Sequence, residues 1–137
     1  MLKIEAIPLP EVRVAWNWIR NGLLAVIGIC RERWSPEDAW TEIQAGNAFV
    51  WRIETAHDAI GFLLLKRVMD PDGPVLFIWA AWCEPGSLLR HKAELFERLK
   101  ELSHRMGAKR IRYESSRDEW LAVDYFTPVR RVFEYEV

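Results

Sequence analysis

The sequence predicts one α/β (α+β) domain over residues 1–137, with a mixed, mostly antiparallel central sheet and helices on both faces. Three observations lead there. Period-two and helical segments follow one another in the order strand, helix, helix, three strands, helix, strand, short helix, strand. Hairpins joined to helical crossovers give a sheet of mixed strand direction. The run Val75–Cys83 (VLFIWAAWC) is apolar on both faces, as expected of a central strand covered on both sides. At 137 residues, half of them apolar, the chain can bury one sizeable core but has no room for a second domain.

The elements follow in order. Leu2–Ile7 (LKIEAI) alternates apolar and polar residues and reads as a first strand, closed by Pro8 and Pro10, with Pro10 placed to open a helix. Val12, Ala15, Trp16, Ile19, Leu23, Val26 and Ile27 then recur at helical spacing, and Gly22 and Gly28 mark places where that helix is expected to break. In SPEDAWTEIQAG, Ser35 suits an N-cap and Pro36 the first helical position. Asp38 completes a capping-box spacing, and Gly46 supplies the stop. Ala48–Glu54 and Ala59–Val68 are strands around a tight turn at 55–58. The turn signal MDPDGP (69–74) leads into Val75–Cys83.

Leu88–Met106 is the clearest helix. Leu88, Leu95, Leu99, Leu102 and Met106 form one stripe flanked by Leu89 and Phe96, with Ser87 expected to cap its start and Gly107 its end. Lys109–Ser115 is a further strand, Asp118–Asp124 a short helix and Val129–Val137 a last alternating strand.

Composition excludes several functions. Nineteen basic against twenty acidic residues give a formal charge of −1, without the broad positive field that non-specific nucleic-acid binding needs. RLKE (98–101) and VRR (129–131) are isolated charge runs and make no groove. The longest apolar run, GLLAVIGIC (22–30), is about half of the roughly 20 residues a membrane span requires, and it lies too far into the chain for a signal peptide. A soluble intracellular protein is expected.

Cys30 and Cys83 sit in apolar runs without CxxC spacing and read as buried free thiols. A disulfide is the weaker alternative. Zinc is weaker still, because His57, His91 and His104 share no ligand spacing with either cysteine, and no metal is expected. Cys83 as a nucleophile would need a base, for which His91 is the nearest in sequence. Eight tryptophans are many for this length, and they either fill the core or form a docking patch. Trp79 and Trp82, three apart on a strand, should point to opposite faces. Trp16 and Trp18, two apart on a helix, should not share one core, and Trp34 precedes the Ser35 cap. Trp16, Trp18 and Trp34 are therefore the candidate partner-binding residues.

The strand order at this length resembles the GNAT superfamily of N-acetyltransferases, over essentially the whole chain. Two stretches are more narrowly similar to GNAT-like proteins encoded by tailed bacteriophages: IQAGNAFVW (Ile43–Trp51) and LKELSHRMGAKRIRYESSRDEW (Leu99–Trp120). Asp124-Tyr125-Phe126 then falls where the superfamily usually has Gly-Phe or Gly-Tyr, so Tyr125 departs from the pattern.

The resemblance implies that residues 83–90 correspond to the segment that grips the coenzyme A pyrophosphate, normally an Arg/Gln-x-x-Gly-x-Gly/Ala motif. There, glycines let the backbone approach the phosphates and successive N–H groups donate to them. In CEPGSLLR only Gly86 remains. Pro85 has no N–H, and Glu84 brings a negative charge toward the phosphate position. If coenzyme binds, Gly86, Ser87, Leu88 and Arg90 are the residues expected to hold it. An acyl transfer would draw a base from Glu54, His57 or Glu84 and an acid from Tyr113 or Tyr125.

The sequence thus favours a GNAT-like domain with a degraded coenzyme loop and no expected cofactor, acting by contact with other protein subunits. The phage resemblance implies a virion or assembly component in the host cytoplasm and in the virion. An active acetyl-CoA-dependent N-acetyltransferase is the alternative, and a small-molecule or peptide binder a third.

Overall fold

The computed structural model describes residues 1–56, 58–114, 126, 129 and 133–136, with Leu88 and Leu89 described by backbone alone. The elements are β1 (Lys3–Ala6), α1 (Leu9–Val14), α2 (Trp16–Cys30), α3 (Pro36–Gln44), β2 (Phe49–Glu54), β3 (Ala59–Asp70), β4 (Gly73–Cys83), α4 (Ser87–Arg105) and β5 (Arg110–Tyr113). They form one five-stranded sheet in the order β1-β2-β3-β4-β5. The first three pairings are antiparallel and β4–β5 is parallel, so the mixed sheet expected from the sequence is the one found. The short helix expected at Asp118–Asp124 lies outside the described residues. Of the expected last strand, Val129 and Phe133–Glu136 are described, and they are not paired into the sheet.

Each face of the sheet carries its own core. On one face Val12 of α1, Ile19 and Leu23 of α2, and Ala39 and Ile43 of α3 close over Val50, Phe62, Leu64 and Ala80. On the other, Leu95, Leu99 and Leu102 of α4 close over Ile53, Leu63, Leu65 and Leu76. From Phe62 to Leu65 β3 alternates between the two, with Phe62 and Leu64 facing one way and Leu63 and Leu65 the other, while Ile60, left extra where the pairing with β2 shifts, joins the α4 side.

Local chemistry sets most boundaries. Ser35 caps α3 through its hydroxyl, which accepts from Asp38 N–H, while Asp38 accepts the Ser35 N–H at 2.8 Å, forming the expected capping box. The Ser103 hydroxyl donates to the Ala108 carbonyl at 2.7 Å and holds the chain where it leaves α4 for β5.

The first helix departs from expectation. It breaks at Ala15, which leaves the helical region at φ −87°, ψ 6°, and it runs unbroken through Gly22 and Gly28. Gly22 is where α2 lies closest to the sheet: a Cβ added there would meet the Phe62 ring at 2.5 Å and Trp82 at 2.9 Å. Its missing side chain serves packing, not a bend.

Candidate functional site

The region corresponding to the expected coenzyme site is built by the C-terminal half of β4, the turn after it and the start of α4. The pairing of β3 with β4 steps from Leu64–Ala80 to Leu65–Ile78, which leaves Trp79 as the extra residue of a β-bulge. Trp79 and Ala80 therefore face the same side, with Trp82, against the α1–α3 core. Ile78, Ala81 and Cys83 face α4. The expectation that Trp79 and Trp82 lie on opposite faces fails for this reason: one inserted residue shifts the alternation.

The bulge also marks where two strands part. β4 and β5 pair from Val75–Arg110 to Ile78–Tyr113, and β5 ends there, while β4 continues to Cys83. Among the described residues, Trp79–Cys83 is hydrogen-bonded to β3 alone. Tyr113 sits at this divergence, half-buried, with its ring edge-on to Phe126 at 4.7 Å. Burial raises its phenol pKa, so it keeps its proton at neutral pH and is chemically an acid, not a base.

The turn that follows is fully specified. Gly86 adopts φ 81°, ψ −13°, and Ser87 N–H donates to the Glu84 carbonyl at 3.1 Å. These are the features of a type II turn with Pro85 and Gly86 at its corners, and the positive φ requires glycine. Glu84 N–H is engaged too, by the Ile60 carbonyl at 2.8 Å. Ser87 is not the N-cap expected from the sequence. Gly86 occupies that position, and the Ser87 hydroxyl points back to donate to the Glu84 carbonyl at 2.6 Å.

These bonds test the fit of a pyrophosphate. Of the four turn residues, Pro85 has no donor and Glu84 and Ser87 have theirs occupied, which leaves Gly86. The Glu84 carboxylate is exposed at the rim, with Pro85 and Gly86. What remains favourable is the start of α4: no side chain caps it, its first turn has no acidic residue, and Arg90 is exposed nearby. Leu88 contributes a backbone position in that turn. The turn itself thus offers one free donor beside a carboxylate, and any further donors for an anion would come from the first turn of α4.

The other candidates disperse. Glu54 is at the same end of the sheet but two strands from β4, roughly 10 Å by strand spacing. Its carboxylate is held by Arg52 at 2.5 Å and Lys3 at 3.8 Å. His91 lies 3.8 Å from Glu94, which also accepts the Leu2 N–H. His57 and Tyr125 lie outside the described residues. Cys83 is a free thiol whose pKa burial pushes up to about 11, so it is protonated at neutral pH and a poor nucleophile. No group of three or more His, Cys, Asp or Glu able to hold a metal occurs among the described residues.

The three candidate contact tryptophans are half-buried, each against another aromatic ring. Trp16 packs on Trp40 at 4.8 Å, Trp18 on Phe62 and Trp82 at 5.6 and 5.8 Å, and Trp34 on Trp79 at 5.1 Å. Trp16 and Trp18 do join one core, against expectation, because α2 is flanked by α3 on one side and the sheet on the other. Two shallow clefts lie elsewhere, one by Asn47, Phe49, Lys66 and Arg67, the other by Asp72, Pro74, Lys109 and Arg110.

Comparison with solved structures supports the fold. A possible acetyltransferase from Clostridium difficile 630 superposes with a TM-score of 0.69 at 9% identity, over 100% of this chain and 98% of that one. An aminoglycoside N-acetyltransferase in complex with coenzyme A gives 0.70 at 15% identity, over 100% and 95%. A predicted acetyltransferase with acetyl-CoA from Clostridium acetobutylicum gives 0.68 at 15%, over 99% and 96%. At these identities the likeness is one of fold: the described residues have the GNAT fold. No protein-family model matches the sequence, and no curated protein does.

Proposed function

We propose that this chain is a GNAT-fold protein that acts through protein–protein contact, as a structural or assembly component of a virion, and not as an efficient acetyltransferase. The observation that carries the reading is the turn at Glu84–Ser87. Its hydrogen bonds and its proline leave one of the turn's four backbone positions as a free donor, and Glu84 adds a repelling charge. The virion assignment is supported by the likeness of Ile43–Trp51 and Leu99–Trp120 to phage-encoded proteins. The proposed contact surface is the outer side of α1 and α2, where Val14, Leu24 and Ile29 are exposed, together with the exposed edges of Trp16, Trp18 and Trp34. Other protein subunits are its partners, and host cytoplasm and virion its locations. Among the described residues no helix is long and apolar enough to cross a membrane.

Calorimetric titration of the full chain with acetyl-CoA tests the reading. The expected dissociation constant is weaker than about 1 mM, or no more than roughly 4 kcal/mol of binding. Micromolar affinity overturns it.

A second reading, an acetyl-CoA-dependent N-acetyltransferase with a divergent loop, is favoured by the uncapped, acid-free start of α4 and the parting of β4 from β5. It predicts micromolar affinity that falls on Arg90→Ala.

A further inference from the structure

β3 and β4 run on together past the beginning of β2. β2 covers β3 only to the Phe49–Leu65 pair, while the β3–β4 ladder continues to Asp70–Gly73. Among the described residues, the outer edge of β3 from Lys66 to Asp70 therefore has no strand beside it. An open edge is a template for another strand.

The side chains along this edge have a definite chemistry. Arg67 and Met69 share a face with Leu65 and hence with Phe49, while Lys66 and Val68 face the other way. Phe49 and Met69 are 47% and 64% exposed, an uncovered apolar pair on one face. Lys66 lies over the Trp79 ring at 4.0 Å, and neither Lys66 nor Arg67 has a carboxylate partner among the described residues. The edge thus fits an extended segment with aromatic residues on one face and acids on the other.

The chain carries such a segment. In Phe133-Glu134-Tyr135-Glu136 the two aromatic side chains are 88% and 87% exposed and alternate with two glutamates. Among the described residues its one ion pair is Glu134–Arg33 at 2.6 Å, between side chains 60% and 80% exposed. So exposed a pair adds little stability and is readily exchanged.

We propose that residues 133–136 of one copy add as a strand to the Lys66–Asp70 edge of a second copy, and that reciprocal exchange gives a two-fold dimer. Phe133 and Tyr135 lie beside Phe49 and Met69, with Arg67 able to cover an aromatic face, and Glu134 and Glu136 lie beside Lys66. This holds whether or not the chain binds acetyl-CoA.

Sedimentation velocity of the full chain over a concentration series tests it, with far-UV circular dichroism reporting the fold. A concentration-dependent dimer is expected. Phe133→Ala/Tyr135→Ala, which disturbs only exposed side chains, should raise its dissociation constant tenfold or more. Lys66→Glu and Glu134→Lys/Glu136→Lys should each do the same, and their combination should recover most of the loss. A chain that stays monomeric to about 1 mM overturns the proposal. So does a dimer indifferent to the aromatic pair, or a combined variant no tighter than its parents.

Discussion

Gly22→Ala is the substitution that best probes how α2 sits on the sheet. In an exposed helix it would stabilise by about 1 kcal/mol, since alanine is the better helix former. Here the new Cβ would fall 2.5 Å from Phe62 Cε1 and 2.9 Å from both Phe62 Cζ and Trp82. The Phe62 ring has nowhere to retreat. It is fully buried, with the Trp18 ring at 5.6 Å and the Trp82 ring at 5.8 Å. Relief therefore requires α2 to lift or the ring cluster to repack, an overpacking cost of about 1–3 kcal/mol. Against the propensity gain, a net loss of up to about 2 kcal/mol is expected, or as much as roughly 10 °C in Tm for a domain of this size. Chemical denaturation monitored by tryptophan emission should show a lower midpoint, with a shifted native spectrum because Trp18 and Trp82 move. A variant more stable than the parent by the full propensity gain of about 1 kcal/mol would refute the close contact and leave Gly22 as a mere helix weakness.

Two further perturbations follow from the geometry. Asp70→Ala removes the carboxylate that Arg112 grips with both nitrogens, at 3.1 and 2.5 Å, between side chains only about one-fifth exposed. A loss of about 1–3 kcal/mol in urea unfolding is expected, between the values for exposed and buried pairs, and a loss under about 0.5 kcal/mol would deny the pair its role in tying β5 to the hairpin. In a Cys30→Ser background, alkylation of Cys83 by iodoacetamide should run about a hundredfold slower at pH 8 than that of an unburied thiol with pKa about 9, because a pKa of about 11 leaves a hundredfold less thiolate. As the folded value is raised, reaction should accelerate as pH climbs toward 11, and stability should fall between about pH 9 and 11, where the unfolded thiol ionises first. Rapid labelling at pH 8 in the folded protein contradicts the burial.

The sequence carried the fold well where local chemistry and pattern coincide. The Ser35–Asp38 capping box and the part of the α4 stripe formed by Leu95, Leu99, Leu102 and Met106 each follow from a side chain's own bonding or burial, and each is found. The turn expected over 69–74 is tighter, at 71–72, with Met69–Pro74 and Asp70–Gly73 already paired as strands. What it hid depends on tertiary fit. The break at Ala15 has no breaker residue. Trp16 and Trp18 share a core because α2 has neighbours on two sides, which no helical wheel reveals. Of the candidate site, the Pro85-Gly86 corner was legible in the sequence, and the structure makes it a type II turn. Ser87 departs from the expected cap because the Pro85-Gly86 pair immediately before it makes a type II turn, and its hydroxyl donates back to the Glu84 carbonyl. The bulge at Trp79 left no signature, since apolar residues on both faces of β4 erase the alternation that would have betrayed it.

That single unpaired residue has a consequence for how the strand tolerates change. Because Trp79 is the residue without a partner on β3, deleting it would make Ile78–Leu65 and Ala80–Leu64 adjacent pairs of a regular ladder and leave Trp82 and Cys83 on their present faces. Losing a second residue would turn Trp82 toward α4 and Cys83 toward α2. This segment should therefore absorb the loss of one residue far better than the loss of two.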